Sequence, residues 1–198
     1  MQNAVFNIQD QSDFKTCALQ VFRHQFKNNA VYRSFCDLLY IHSSDVKEVE
    51  EIPFLPIQFF KSNAVLSSTQ AVKETFTSSG TTGSSVSKHM VTDVSWYTKS
   101  YTKGFEHFYG PIEDHTVLGL LPSYLERDGS SLIYMVDDFI KKSNNPASGF
   151  YLNNLTELSK TLIELDKKGE KVLLIGVTFA LLDLIERQQF TLQNTIIM

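Results

Sequence analysis

The sequence predicts an α/β protein in which helices flank a mostly parallel sheet, with a small helical segment at the N-terminus. From about residue 70 onward, short apolar runs of strand length alternate with stretches of helical periodicity. The run KVLLIGV at residues 171–177 is apolar on both alternating faces, as strands buried in parallel sheets are. We therefore predict a helical segment over residues 1–50 and an α/β domain over residues 51–198.

The composition excludes several classes of protein. The chain has 198 residues, of which 42% are hydrophobic and 20% charged, so it is too apolar to be disordered. A net charge of −4 argues against a nucleic-acid partner, and no apolar run reaches the roughly 20 residues that span a bilayer. The N-terminus lacks the pattern of a signal peptide. Two isolated cysteines, Cys17 and Cys36, predict core thiols rather than a disulfide framework or a metal site. We expect a cytoplasmic protein.

The first 60 residues predict two helices followed by an extended connector. Apolar residues recur at helical spacing at Phe14, Cys17, Val21, Phe22 and Phe26, then at Val31, Phe35, Leu38 and Leu39. Ser12 is the predicted cap of the first helix, and the Asn28-Asn29 pair separates the two. Residues 52–60 contain two prolines among large apolar residues, which predicts an extended segment packed on a core.

The later elements follow from apolar runs and capping residues. Strands are predicted at residues 73–77, 88–91, 116–121, 171–177 and 195–198, and a short additional strand before residue 154. Helices are predicted to start at Ser95, at Ser130 or Ser131, at Asn154 and at Thr178, each with a capping side chain. The Lys167-Lys168-Gly169 triplet predicts a helix end.

One loop carries the chemistry that the sequence reveals. Ten of the eleven residues from Thr77 to Ser87 are Ser, Thr or Gly, and Lys88 follows directly. Glycines allow backbone N–H groups to approach a ligand closely, and successive N–H groups form anion-binding nests. Hydroxyl groups and the lysine add further donors, so the loop suits an oligophosphate. A flexible Ser/Gly linker has a similar composition and stays open as an alternative.

Residues 77–83 (TSSGTTG) resemble the phosphate-loop motif of the adenylate-forming superfamily. Within that superfamily, the sequence is most similar to the acyl-protein synthetases of the bacterial luminescence fatty-acid reductase complex. Three further segments, in the same order, carry this narrower resemblance: residues 52–61 (IPFLPIQFFK), 121–132 (LPSYLERDGSSL) and 174–179 (LIGVTF). Lys88 lies two residues further from the second glycine than the lysine of the superfamily usually does.

The resemblance implies part of the large AMP-binding domain of an adenylate-forming enzyme, with ATP and Mg²⁺ as its cofactors. The implied ATP-binding residues are Ser78, Ser79, Gly80, Thr81, Thr82, Gly83 and Lys88, of which Thr81, Thr82 and Lys88 are the implied catalytic residues. Residues that the superfamily uses further downstream cannot be placed in this sequence. We therefore expect a foldable N-terminal part, truncated at its C-terminal end and catalytically incomplete by itself.

The resemblance also implies a fatty or other carboxylic acid as substrate and an acyl-acceptor protein or reductase as partner. In α/β sheets, ligands bind beyond the carboxyl ends of strands. Side chains near two such ends are the predicted substrate-binding residues: Tyr124, Ser130, Leu132, Gly176, Val177 and Phe179, with Met135 as a further wall. Two alternatives stay open, an acyl- or aryl-CoA ligase of the phenylacetate type and a non-catalytic acyl- or nucleotide-binding domain.

Overall fold

The computed structural model describes residues 4–78, 86–121, 129–152 and 154–198. The chain forms two compact units, Met1–Val94 and Ser95–Met198. This boundary lies after Val94, whereas the sequence placed its first division after residue 50. The assignment of residues 51–198 to one AMP-binding domain stays a prediction.

Two helices begin the first unit, α1 (Gln11–Asn28) and α2 (Ala30–Leu38). The Asp10 carboxylate caps α1 by accepting the Asp13 amide at 2.9 Å. The predicted Ser12 cap is therefore wrong, because Ser12 lies inside the helix. Asn29 separates the helices as predicted, and its side-chain oxygen accepts the Tyr32 amide at 3.1 Å to cap α2.

The core of the first unit lies between these helices and the chain that follows them. Its buried residues are Leu19, Phe22, Phe26, Tyr32, Cys36 and Val46. Tyr32 and Cys36, one turn apart, form the buried stripe of α2. Leu38 and Leu39 continue the apolar spacing seen in the sequence, but they do not join the core and are 78% and 47% exposed. Phe14 is likewise exposed.

The proline-containing segment packs on this core, as predicted. Ile52 and Leu55 contact the core cluster, and the Tyr32 hydroxyl donates to the carbonyl oxygen of Pro53 at 2.6 Å. A 3₁₀ turn at Val49–Glu51 precedes the segment. The extended conformation ends earlier than predicted, because Phe59 and Phe60 begin the short helix α3 (Phe59–Ser62).

A β-hairpin completes the first unit. Its strands, β1 (Glu74–Thr77) and β2 (Lys88–Val91), pair antiparallel with Thr77 opposite Lys88. They form a two-stranded sheet of their own and are not part of the parallel sheet. Both strands lie within a residue of their predicted positions.

The second unit alternates helices and strands. In chain order they are α4 (Ser95–Tyr109), a 3₁₀ turn (Ile112–Asp114), β3 (Thr116–Leu120), α5 (Ser131–Ser143), β4 (Gly149–Phe150), α6 (Leu155–Lys167), β5 (Val172–Gly176), α7 (Thr178–Arg187) and β6 (Thr195–Ile197). The four strands described here form a parallel sheet in the order β4-β3-β5-β6. This arrangement confirms the predicted fold class.

Helices cover both faces of the parallel sheet. On one face, Phe105 of α4 and Val136 and Phe139 of α5 pack against alternate residues of β3 and β5. On the other face, leucines of α6 and α7 pack against the intervening residues of those strands, such as Leu118 and Leu174. β3 and β5 are buried over nearly their whole length because both of their faces are covered, which is why their sequences are continuously apolar.

Candidate functional site

The hairpin of the first unit joins the two ends of the predicted phosphate loop. Beyond the Thr77–Lys88 pair, the Ser78 amide donates to the carbonyl oxygen of Ser87 at 3.1 Å. The Ser87 amide donates back to the Ser78 hydroxyl oxygen, also at 3.1 Å. These two bonds hold Ser78 and Ser87 side by side at the base of the loop. Ser78 and Lys88, two of the residues predicted to bind ATP, therefore lie on neighbouring pairs at the loop end of the hairpin.

The remaining predicted phosphate-binding residues lie outside the described part of the chain. They are Ser79, Gly80, Thr81, Thr82 and Gly83. Their roles, and the catalytic roles of Thr81, Thr82 and Lys88, stay predictions. The hairpin fixes only where the loop leaves the sheet and where it returns.

Lys88 and His89 lie on opposite faces of the hairpin. Side chains directly opposite each other in an antiparallel pair share a face, so Lys88 shares one with Thr77 and His89 shares the other with buried Phe76. The ring centroids of His89 and Phe60 lie 5.8 Å apart. The exposed Lys88 side chain therefore extends from the face that does not carry Phe76.

A topological switch point lies in the second unit, between β3 and β5. The two strands are neighbours, yet α5 follows β3 on one face of the sheet and α7 follows β5 on the other. In open α/β sheets, the crevice at the carboxyl ends of such strands is the usual ligand site. Leu120 and Gly176, the last residues of the two strands, are paired there.

Gly176 allows the close approach of chain segments at this point. A Cβ atom at residue 176 would lie 2.8 Å from two side-chain carbons of Leu181 and 3.3 Å from the carbonyl oxygen of Leu120. The predicted Thr178 cap is wrong, because Thr178 is already helical and Val177 occupies the cap position without a side-chain bond. Val177 packs against the clusters on both faces of the sheet.

The predicted substrate-binding residues lie in different surroundings. Leu132, Met135 and Val177 contact the apolar cluster beneath α4 and α5. Phe179 is 53% exposed, and Tyr124 lies outside the described residues. No structural observation tests their binding roles, which stay predictions.

The sequence predicted that Ser130 or Ser131 begins α5 as its cap, and Ser130 is the cap in the structure. Its hydroxyl oxygen accepts the Ile133 amide at 3.3 Å. The O–H group can still donate to a ligand, since capping uses only an oxygen lone pair. Ser130 therefore combines a structural role with its predicted place in the substrate site.

A polar network between α4 and α5 has no signal in the sequence. The Tyr97 hydroxyl donates to the carbonyl oxygen of Ser131 at 2.9 Å, and the Tyr101 hydroxyl donates to Asp138 at 2.7 Å. Lys142 forms an ion pair with Asp138 at 2.6 Å. Burial raises the pKa of Tyr101 well above its usual range, and the neighbouring Asp138 carboxylate raises it further. The sequence predicts the helix that carries Tyr97 and Tyr101, but it does not reveal the hydrogen-bond partners of their hydroxyls, which lie 34 and 37 residues away.

An apolar groove of about 760 Å³ lies between α7 and β6. Leucine and isoleucine side chains line most of it, among them Leu181, Ile185 and Ile197. Thr178, at the start of α7, also lines the groove, which therefore reaches the carboxyl end of β5. This apolar surface was not predicted from the sequence.

The described residues contain neither a candidate membrane-spanning helix nor a cluster of metal-ligating side chains. No helix in that part of the chain has both the length and the apolar composition needed to cross a membrane. Across residues 4–78, 86–121, 129–152 and 154–198, no group of three or more His, Cys, Asp or Glu side chains is placed to hold a metal ion.

The sheet order defines an α/β protein with a topological switch point, the place where open α/β sheets usually bind their ligands. The family described as acyl-protein synthetase, LuxE, matches residues 5–124, more than half of the chain. The chain therefore belongs to the acyl-protein synthetase (LuxE) family. The match includes the whole hairpin and its loop, and it ends at Tyr124.

One relative is the long-chain-fatty-acid–luciferin-component ligase of Photorhabdus luminescens. It is 34% identical over 70 residues, which are 35% of this chain and 60% of that protein. The match thus spans less than two thirds of the relative's length. No solved structure matches the chain.

Proposed function

We propose that the protein activates a long-chain fatty acid with ATP and transfers the acyl group to a thiol of an acceptor protein. Membership of the acyl-protein synthetase family supports acyl transfer to protein. The relative named as a ligase for a long-chain fatty acid supports that class of acid. One structural observation carries the ATP step: the hairpin bonds that place Ser78 and Lys88 at the two ends of the Ser/Thr/Gly loop.

The first half-reaction is adenylation of the acid. A carboxylate oxygen forms a bond to the α-phosphorus of ATP, the bond between that phosphorus and the bridging oxygen to the β-phosphate breaks, and pyrophosphate leaves. In the second half-reaction, a thiolate sulfur bonds to the acyl carbon and AMP leaves with the electron pair. The carboxylate is already an anion, so adenylation requires no general base. Alignment and stabilisation of negative charge are then the main demands on the protein.

The proposed part of this chain is to hold the phosphates. Loop N–H groups around Gly80 and Gly83 and the hydroxyl groups of Ser79, Thr81 and Thr82 donate to phosphate oxygens. Lys88 contributes a charged donor at the point where the loop rejoins the sheet. A loop closed by paired strands loses less conformational freedom on binding than an open linker of equal length does.

Mg²⁺ would neutralise phosphate charge in this reaction. It typically keeps several waters and binds through substrate phosphates with only one or two carboxylates. The loop donors would then bind the phosphate oxygens that the cation leaves open.

The proposed acid site lies at the carboxyl ends of β3 and β5. Ser130 and Gly176 lie where the carboxylate would bind, and Leu132, Val177 and Phe179, with Tyr124, would contact the acyl chain. Two apolar regions adjoin this point: the packed cluster beneath α5 and the groove between α7 and β6. We assign the acyl chain to the α5 side, because Leu132 packs against the cluster on that face.

Fatty-acid-dependent exchange of labelled pyrophosphate into ATP tests the proposal. The assay should use the protein encoded by the complete reading frame, with Mg²⁺ and without an acceptor. We expect exchange only when a long-chain acid is present. Absence of exchange at saturating acid and ATP would contradict the adenylation step.

A photoreactive fatty acid tests the assigned position of the chain. Label in residues 132–140 supports the α5 side, whereas label confined to residues 181–198 would place the chain in the groove beside α7. Thioester formation that requires coenzyme A, with no protein-bound acyl group, would favour the phenylacetate type of ligase instead.

A further inference from the structure

Tyr97 links α4 to the first turn of α5 through a hydrogen bond. Its hydroxyl donates to the carbonyl oxygen of Ser131 at 2.9 Å. The ring packs edge-on against Tyr101, with centroids 5.0 Å apart, and lies 6.0 Å from the ring of Tyr134. Burial raises the pKa of Tyr97 above its ordinary value.

The bond holds a turn that belongs to the predicted acid site. Ser131 lies between Ser130 and Leu132, both predicted to bind the substrate, and Ser130 caps the same turn through Ile133. The chain reaches this turn from the carboxyl end of β3. A shift of the Ser131 carbonyl would therefore displace both neighbouring side chains relative to the crevice.

The rest of α5 has separate attachments to α4. Asp138, two turns further along, accepts the Tyr101 hydroxyl at 2.7 Å. Lys142 donates to the Thr102 hydroxyl at 3.1 Å and pairs with Asp138. Removing the Tyr97 hydroxyl should consequently loosen the first turn of α5 while its later turns stay in place.

We propose that Tyr97 is a positioning residue for the carboxylic acid, acting through the first turn of α5 on Ser130 and Leu132. The inference rests on the proposed function, since it is that function which places the acid at this turn. Tyr97 itself does not touch the reacting atoms.

The matched variants Tyr97→Phe and Tyr101→Phe test this inference. Each removes one hydroxyl from the same helix, one turn apart, and only the first acts on Ser131. In pyrophosphate exchange by the complete protein, we expect Tyr97→Phe to raise KM for the fatty acid about fivefold, as loss of one hydrogen bond would. KM for ATP should not change, and Tyr101→Phe should leave both constants as in the wild type. Loss of folded protein alone would lower kcat without changing KM.

Amide hydrogen exchange provides a readout independent of activity. Tyr97→Phe should speed exchange at the Ile133 and Tyr134 amides, and Tyr101→Phe should not. If the wild type shows no pyrophosphate exchange, the proposed function fails, while the hydrogen-exchange comparison still tests the positioning contact. An unchanged KM for the acid, equal KM changes in both variants, or equal exchange at these amides would overturn the inference.

Discussion

Asn194, the residue before β6, donates two hydrogen bonds to Asp166 near the end of α6. The Asn194 amide donates to the Asp166 carboxylate at 2.8 Å, and the Asn194 side-chain amide donates to the Asp166 carbonyl oxygen at 3.1 Å. The same carboxylate accepts the Gln193 amide and the Thr195 hydroxyl. The Asp166 carboxylate therefore fixes the start of β6, which lies at one edge of the described parallel sheet.

Asp166→Ala should lower the urea midpoint of unfolding, because two backbone amides and one hydroxyl lose their acceptor. Asp183→Ala is the matched control, since Asp183 is an exposed aspartate on α7 and should leave the midpoint unchanged. Equal midpoints for the two variants would show that the Asp166 contacts contribute nothing to stability.

Stability should also depend on the ionisation of Asp166. Hydrogen bonds from the backbone amide of Asn194, then that of Gln193, lower the pKa of this carboxyl in the folded protein. A lowered folded-state pKa stabilises the fold above the unfolded pKa of about 3.9, and this stabilisation is lost as the pH falls through the folded-state value. Urea denaturation from pH 6 to pH 3 should show the wild type more stable than Asp166→Asn, by a margin that shrinks below about pH 4. A margin independent of pH would exclude this charge effect.

A side chain at residue 176 should destabilise the second unit. Gly176→Ala places a methyl group 2.8 Å from Leu181, a contact that costs roughly 1–3 kcal/mol of unfolding free energy in a packed region. Gly149→Ala, also in a strand, meets no atom within 4 Å and should change stability by about 0.5 kcal/mol or less. Denaturant unfolding of both variants measures the difference, and a Gly176→Ala protein as stable as Gly149→Ala would refute the tight contact.

Several elements could be predicted from sequence because their signals are local. The apolar runs of β3 and β5 indicated buried parallel strands, and Ser130 and Asn154 were identified as caps from their own neighbourhoods. Asn154 accepts the Glu157 amide at 3.1 Å. Local signals failed where two residues close in sequence could each cap the same helix, as Asp10 and Ser12 could for α1.

Contacts between distant parts of the chain could not be predicted. Asp166 meets residues 193–195, and Tyr97 meets Ser131, only because helices pack on a sheet whose strand order no local pattern specifies. For the same reason, the buried face of α2 could not be predicted. Nothing local distinguishes Leu38, which is exposed, from Cys36, which is fully buried. For the candidate site, the sequence identified the loop, and the structure added the strand pairing that closes it.

Lys88 should contribute to nucleotide affinity. Lys88→Ala removes a charged donor at the end of the loop and should weaken binding of Mg²⁺–ATP about tenfold, as loss of a charge-assisted hydrogen bond would. Lys73→Ala provides the control, because Lys73 lies at the opposite end of the hairpin, where its amide donates to Val91. Titration calorimetry should give the Lys73 variant wild-type affinity, and equal affinities for all three proteins would exclude Lys88 from the site.

The proposed phosphate-binding role of the Ser/Thr/Gly loop is tested most directly by titration calorimetry of Mg²⁺–ATP into the wild type and Gly83→Val. Gly104→Ala, a helical position with no atom within 4 Å of the added methyl, controls for a glycine substitution as such. We expect measurable binding by the wild type and Gly104→Ala, and at least a roughly tenfold loss in Gly83→Val, because a β-branched side chain blocks close approach of the backbone to phosphate. Equal affinity of all three proteins for ATP would contradict it.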